Sequence, residues 1–427
     1  MSQDGITKLR PLAGPNLTAM LIMLGMIGPF AFQIFLPSMP GLAAEYGVST
    51  AAMQTTVSLY LVTFACAQLC LGPLADRFGR RRVITAGLTA YMAGALICAT
   101  AQSIEMLAAG RAVQAIGGCA GLMFARVIAR DLHERGRAAG VIGFVTMMTA
   151  LAGSLTPILG GWIDVTLGWQ VSFWCTLALG VVVFTVTLLW LPETRPEGAE
   201  GQIFATFRDG FRQLRSPAFL GYAGHGACTL SAWYAMISGL PYVMVDVLEQ
   251  PTIAYGLYFP FLSLGYMAGN LVTARVAHRW DIHRLIVLGV GLALLACPLM
   301  LAWNLLADPT PLSLFLPMGL ISFGHGMSQP GATSGAIGLQ PRLAGSAAGL
   351  MGFGQWLIAA LTAQAVGVLQ NETIWPTTVI VVVFTVLSYL SYLLARRAEA
   401  DEADTMTGSG SQVIEKKTRR RERHERR

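Results

Sequence analysis

Hydrophobic positions in this chain are gathered into long runs, and polar positions into the short breaks between them. The runs fall at 16–38, 51–72, 83–102, 104–127, 138–162, 169–191, 218–245, 252–274, 284–306, 311–337, 344–369 and 374–395. Each is close to the ~20 apolar residues that a helix needs to cross a bilayer. Hydrocarbon offers backbone groups no partners, so segments of this kind satisfy their own N–H and C=O groups as helices. The pattern predicts an all-α membrane protein of twelve transmembrane helices, six on either side of a polar stretch at 192–216.

The breaks are sorted by charge. Those after even-numbered runs, with both termini, hold Lys8, Arg10, Arg77, Arg80 to Arg82, Arg130, Arg135, Arg137, Arg195, Arg208, Arg212, Arg215, Arg275, Arg279, Arg284, Arg342, Arg396 and Arg397. The opposite breaks hold only acids: Glu45, Glu105, Asp164, Asp246, Glu249, Asp308 and Glu372. Basic loops stay on the cytoplasmic side, so both termini are expected in the cytoplasm. One missed helix would invert every later loop, so the partition also supports the count. Domain boundaries follow: 1–191 for the first six helices, 192–216 for a cytoplasmic linker, 217–396 for the second six, and 397–427 for a disordered basic tail.

Composition agrees with the class. The chain is 54% hydrophobic and 12% charged, where soluble domains are about a quarter charged. Of the net charge of +6, +5 sits in residues 415–427, so the excess belongs to a tail that can touch anionic lipid and does not point to nucleic acid. The seven cysteines all lie in apolar runs without C-x-x-C spacing, which suits packing better than disulfides or metal ligands. The first run is too long for a signal-peptide core and is read as a retained span. Lys8, Lys416 and Lys417 are the only lysines, so no Walker-type phosphate loop exists. H-E-x-x-H is absent, and Ser334 in Gly331-Ala332-Thr333-Ser334-Gly335 is one place away from a nucleophile elbow. No enzyme, cofactor or metal site is expected.

Chemistry concentrates in a few stretches. The first is Gly72-Pro73-Leu74-Ala75-Asp76-Arg77-Phe78-Gly79-Arg80-Arg81-Arg82, an elbow between the second and third runs. Its pattern G-x-L-A-D-R-x-G-R-R resembles the signature of the major facilitator superfamily. A degraded copy, Ala274 to Arg284, stands at the matching place in the second half. Arg111, Gln114 and Gly118 share one face of the fourth run and are similar to the family's R-x-x-Q-G motif. In the fifth run Pro157, Gly160 and Gly161 resemble the end of the antiporter motif G-x-x-x-G-P-x-x-G-G, with Ala152 and Thr156 in place of two glycines. The segment Phe32 to Pro40 and the stretch Pro341 to Gln355 resemble bicyclomycin-resistance-like (Bcr/CflA) exporters.

The resemblance implies two pseudo-symmetric six-helix bundles with a substrate site between them. It implies a monomeric multidrug efflux transporter that exchanges a small molecule for protons in the lipid bilayer. The elbow residues Gly72, Asp76, Arg77, Gly79, Arg80 and Arg81 would gate, with Asp76 pairing Arg80 and facing the start of the eleventh helix near 344–349. The family's helix-one Asp, a usual proton-coupling group, is Gln33 here and cannot titrate. The ionisable groups then read as lying inside spans are Arg111, His225 and His325, of which the histidines titrate near neutrality. Cavity and coupling roles therefore fall to Arg111, Gln114, His225, His325 and Gln329. Each histidine can equally be a neutral ring bonded to a helix carbonyl. Gln33, Phe35, Met147, Trp233, Tyr234, Gln355 and Trp356 are candidates to line the pocket. Uptake or facilitated diffusion without protons is the alternative within transport, and a non-transporting membrane sensor is the rival outside it.

Overall fold

The computed structural model describes residues 15–132, 135–193, 212–340 and 344–425. Twelve long helices follow in chain order among them: α1 (Pro15–Gln33), α2 (Thr50–Phe78), α3 (Arg80–Ala99), α4 (Ile104–Leu132), α5 (Arg135–Leu167), α6 (Gln170–Trp190), α7 (Pro217–Tyr242), α8 (Thr252–Val276), α9 (Ile282–Leu306), α10 (Pro311–Gly338), α11 (Ala344–Leu369) and α12 (Trp375–Glu425). Among the described residues ten segments are long and apolar enough to cross a membrane on their own account; α8 and α10 are not among them. Those two carry glycine, serine, proline and tyrosine where the others carry leucine and valine, and each packs closely on the other.

The predicted breaks become caps and turns with identifiable chemistry. Ser49 accepts from the Ala52 N–H at the start of α2, and Thr310 and Ser313 form a reciprocal capping box at the start of α10. After α1 the chain makes a short 3-10 turn, Leu36–Ser38, and a seven-residue helix, Met39–Glu45, at the Pro37 and Pro40 steps. A π-turn, Val243–Val247, ends α7.

Packing reveals the duplication. In the first half α4 packs on α1, α2 and α3, α3 on α6, and α1 on α5. In the second half α10 packs on α7, α8 and α9, α9 on α12, and α7 on α11, the same pairs six helices later. Between the halves α2 meets α11 and α5 meets α8, and adding six to one seam yields the other. Glycines make the close approaches: Gly117 of α4 lies against Gly87 of α3, and Gly324 of α10 against Gly289 of α9. In lipid, helices associate through backbone proximity at small residues, so repeated glycine pairs are what hold each bundle together.

Two of the helices that outrun their apolar runs bear on the site and on the tail. Helix α4 runs 29 residues, five beyond its apolar run, and is ~43 Å long at 1.5 Å per residue. Helix α12 continues through 51 residues to Glu425, so the backbone of the segment expected to be a disordered tail is helical. Its alanines, glutamates, lysines and arginines are strong helix formers, and they outweigh Gly408 and Gly410 once an upstream helix supplies the nucleus. Most of the expected linker, 194–211, lies outside the described residues.

Candidate functional site

Among the described residues the most deeply buried charge is Arg111 in α4, with no exposed surface. Its Nη1 donates to the Ala31 carbonyl of α1 at 2.9 Å and to Gln114 Oε1 at 2.7 Å. Gln114 in turn donates from Nε2 to Thr176 Oγ1 of α6 at 3.2 Å. The helical spacing that placed Arg111 and Gln114 on one face thus delivers a bonded pair. Rings enclose the guanidinium: its carbon lies 4.3 Å from the Tyr60 centroid, 5.1 Å from Phe35 and 5.8 Å from Phe32. Such cation–π contacts stabilise a desolvated cation, by ~2 kcal/mol in favourable cases. Nε and Nη2 have no hydrogen-bond partner among the described residues.

The same rings connect the two bundles. Phe32 meets Tyr60 at 5.4 Å and, across the gap, Tyr234 of α7 at 5.3 Å. Trp356 of α11 packs 4.4 Å from Phe64 of α2 and 5.6 Å from Tyr234. Of the predicted pocket residues, Tyr234 and Trp356 therefore join this cluster, and Phe35 lies behind it against Phe173 and Arg111. Trp233 faces another way, toward Phe259 and Tyr266 of α8. Gln33 lies beside Gly153 of α5 and Gln355 beside Gly226 of α7. Gln329 is half-buried with Oε1 unpartnered among the described residues. Met147 does not join them. It is 44% exposed on a stripe with Leu151, Leu155 and Leu159, a four-residue repeat of large apolar side chains that continues along α5 and suits lipid.

The histidines sit inside the second bundle. His225 Nδ1 is 3.0 Å from the Ser388 carbonyl of α12, which can only accept, so Nδ1 carries a hydrogen. Nε2 is 3.1 Å from Ser328 Oγ, which is itself 3.3 Å from the His325 carbonyl. A neutral ring accepts from the serine; a protonated ring donates to it, and the serine hydrogen turns to the carbonyl. Both protonation states are therefore satisfied at His225 without moving a heavy atom. His325 is also buried, with Nε2 unpartnered among the described residues.

The elbow closes on its own bundle. Gly79 ends α2 and begins α3 at φ +94°, a region open mainly to glycine. Arg80, buried, forms an ion pair with Asp131 of α4 rather than the expected pair with Asp76, which is exposed. A carboxylate one residue from the end of α4 reaches the start of α3 because α4 overshoots its apolar run. Glu193, just after α6, accepts from the Arg80 backbone N–H at 2.7 Å, and Arg81 Nη2 donates to the Leu188 carbonyl at 2.6 Å. Glu193 thus places negative charge at the N-terminus of α3. Gly72 leaves room for Met123, and Arg77 lies 5.2 Å over the Phe78 ring.

The fifth-helix motif is a seam. Gly160 lies against the Ile34 carbonyl, in the turn just after α1, and a Cβ on Gly161 would be 3.0 Å from Ile253 Cα of α8. Opposite Pro157, a Cβ on Gly256 would be 2.6 Å from the Pro157 carbonyl oxygen. The second seam is polar: Ser58 of α2 donates to Gln364 Oε1 of α11 at 2.9 Å, and Gln364 donates to the Ala51 carbonyl at 3.1 Å. These contacts lie toward the acidic-loop end.

Three participants were not singled out from sequence. Tyr60 and Thr176 complete the surroundings of Arg111, but an isolated Tyr or Thr in an apolar run gives no signal. Arg126 was legible: it falls at the end of the fourth apolar run and should stand with Arg111 among the intramembrane charges.

Residues 21–363 match the Major Facilitator Superfamily. The chain is 30% identical over 363 residues to multidrug resistance protein D of Escherichia coli, covering 82% of this chain and 88% of that protein. It is 25% identical over 371 residues to the chloramphenicol resistance protein of Pseudomonas aeruginosa, covering 85% and 87% respectively. It is 23% identical over 360 residues to a bicyclomycin resistance protein homologue of Haemophilus influenzae, covering 83% and 89%. Among solved structures, a bacterial homologue of the human lysosomal transporter Spinster in an inward-facing, unoccupied conformation superposes with TM-score 0.70 at 17% identity, covering 90% of this chain and 98% of that one. A D-xylose–proton symporter superposes with TM-score 0.68 at 13% identity, covering 90% and 96%. With its duplicated bundles, exchanged seams and arginine-rich elbow, this chain belongs to the major facilitator superfamily.

Proposed function

We propose that this transporter exports small amphipathic drugs or metabolites from a bacterial cytoplasm in exchange for protons, as a monomer in the inner membrane. The observation that carries the reading is the pair of seams, α2–α11 and α5–α8, around an aromatic cluster that both bundles supply. Duplicated carriers rock one bundle against the other around a site at mid-depth, and seams exchanged by the pseudo-twofold are the surfaces that would open and close. Relatives named for resistance to several unrelated drugs support export over uptake. The acidic loops would face outward and the elbow inward, with the bundles at 1–191 and 217–396 and a cytoplasmic linker at 192–216. A carrier without proton coupling is the second reading, favoured by Gln33 where the family has a carboxylate.

The test is a susceptibility screen of cells overexpressing the chain, followed by flux of any protected compound in proteoliposomes. Resistance to several unrelated compounds, with uphill flux under an imposed pH gradient, is the expected result. Flux that dissipates substrate gradients but ignores the pH gradient would select the uncoupled carrier. Absence of any flux would leave the sensor.

A further inference from the structure

Arg126 stands six residues before the end of α4, ~22 Å along the helix from Arg111. Its neighbour Ala125 is buried and turned toward Gly25 of α1, so Arg126 points about 100° away from that contact. The side chain is exposed, yet it lies within electrostatic reach of Tyr266 on α8, a helix of the other bundle. A residue exposed on its own helix and within reach of the opposite bundle lies at the gap between bundles. Tyr266 packs 5.9 Å from Trp233, which packs 6.1 Å from Phe259. The gap therefore has a guanidinium on one wall and an aromatic patch on the other.

Among the described residues no acid balances that guanidinium. Arg126 has no ion pair or hydrogen bond among the described residues, and no Asp or Glu occurs in the interior of any of the twelve spans. Asp131, the nearest acid in sequence, is held by Arg80. Arg111 adds a second uncompensated cation deeper in the same helix. In low dielectric, unbalanced positive charge attracts anions and disfavours cations over distances that bulk water would screen.

We infer that the site takes flat aromatic anions, carboxylates or sulfonates, with Arg126 binding the anionic group and the Trp233–Tyr266 wall receiving the ring. Arginine suits this task because its planar fork matches a carboxylate with two parallel hydrogen bonds. The assignment rests on the transporter reading and names the substrate class of the same gap.

The experiment is equilibrium binding to the full chain in phosphatidylcholine nanodiscs, read by tryptophan quenching. The probes are 9-anthracenecarboxylate, its uncharged amide, and the tetraphenylphosphonium cation. The carboxylate should bind roughly 10- to 100-fold more tightly than the amide, as expected for hydrogen bonds to a charged group. R126Q should bring the carboxylate down to the amide's affinity without changing the amide, and R126K should restore part of the difference. An unchanged melting temperature shows that R126Q is folded. Equal affinities for acid and amide, tighter binding of the cation, or an undiminished preference in R126Q would each overturn the assignment. Competitive displacement of the carboxylate by phosphatidylglycerol, lost in R126Q, would reassign Arg126 to a lipid headgroup and overturn it as well. No gradient is involved, so failure of flux in proteoliposomes would sink the export reading while leaving this binding result standing.

Discussion

At Arg111 a full charge is held where two of three guanidinium nitrogens have no hydrogen-bond partner among the described residues, with three aromatic rings in place of a carboxylate. Unsatisfied buried donors cost about 1–3 kcal/mol. Replacing a buried ion pair by apolar groups of similar volume is often neutral or stabilising by about 1–4 kcal/mol, and among the described residues Arg111 has no carboxylate partner that its removal would strand. R111M should therefore leave melting temperature unchanged or raised while reducing transport at least tenfold, and R111K, which keeps charge but loses the fork, should also transport poorly. A large drop in melting temperature for R111M would make the arginine a structural element. Gly79 poses the opposite case. At φ +94°, with a Cβ site 2.9 Å from Glu193 Cδ, G79A must strain the backbone and displace the carboxylate that caps α3. The expected loss is ~1–3 kcal/mol, read as a lower melting temperature, and E193Q should lose less because it removes charge without adding strain.

Helices were legible from sequence because lipid leaves few alternatives: a long apolar run must become one. What the runs do not encode is where a helix stops once it leaves hydrocarbon. Helix α4 carries Asp131 to Arg80, and α12 carries Glu399 to Tyr222 Oη at 2.8 Å, through segments that a hydropathy boundary cuts off. Arg111 with Gln114 was readable because three residues fix a helical face; Phe64 with Trp356 was not, because nothing local couples residues almost three hundred apart. The α5–α8 seam is the element where these limits can be tested. A side chain on Gly256 meets backbone atoms of Pro157 and Ile158, which cannot rotate away. G256V should hold this seam apart, so that a cysteine placed at Ile253 is labelled by a membrane-impermeant maleimide faster than in the parent carrying the same cysteine. Equal labelling rates would show that the seam is not a closed gate.

For the whole molecule, the two bundles are alike in packing and unlike in chemistry. The first contributes fixed cations, Arg111 and Arg126, and the second contributes two titratable groups, His225 and His325. Fixed charge can bind substrate but cannot report a proton, so any coupling in this chain must involve a group whose protonation changes as the bundles move. His225 has the wiring for it: Ser388, Ser328 and the His325 carbonyl satisfy the ring in either charge state. Its burial is the opposing fact, since a sealed imidazole favours the neutral form and must meet water in one of the two open states to exchange its proton. Rocking that widens the α7–α10–α12 packing around the ring would supply that access. The double variant H225Q/H325Q should then retain downhill exchange at near-parent rates and lose uphill transport driven by a pH gradient. H225Q alone should be the more severe single change, because His325 lacks the partners that accommodate a second proton. If the double variant still concentrates substrate against its gradient, coupling runs through a carboxylate at the edge of the gap, with Asp131 and Asp76 beside Arg80 as the groups to replace next.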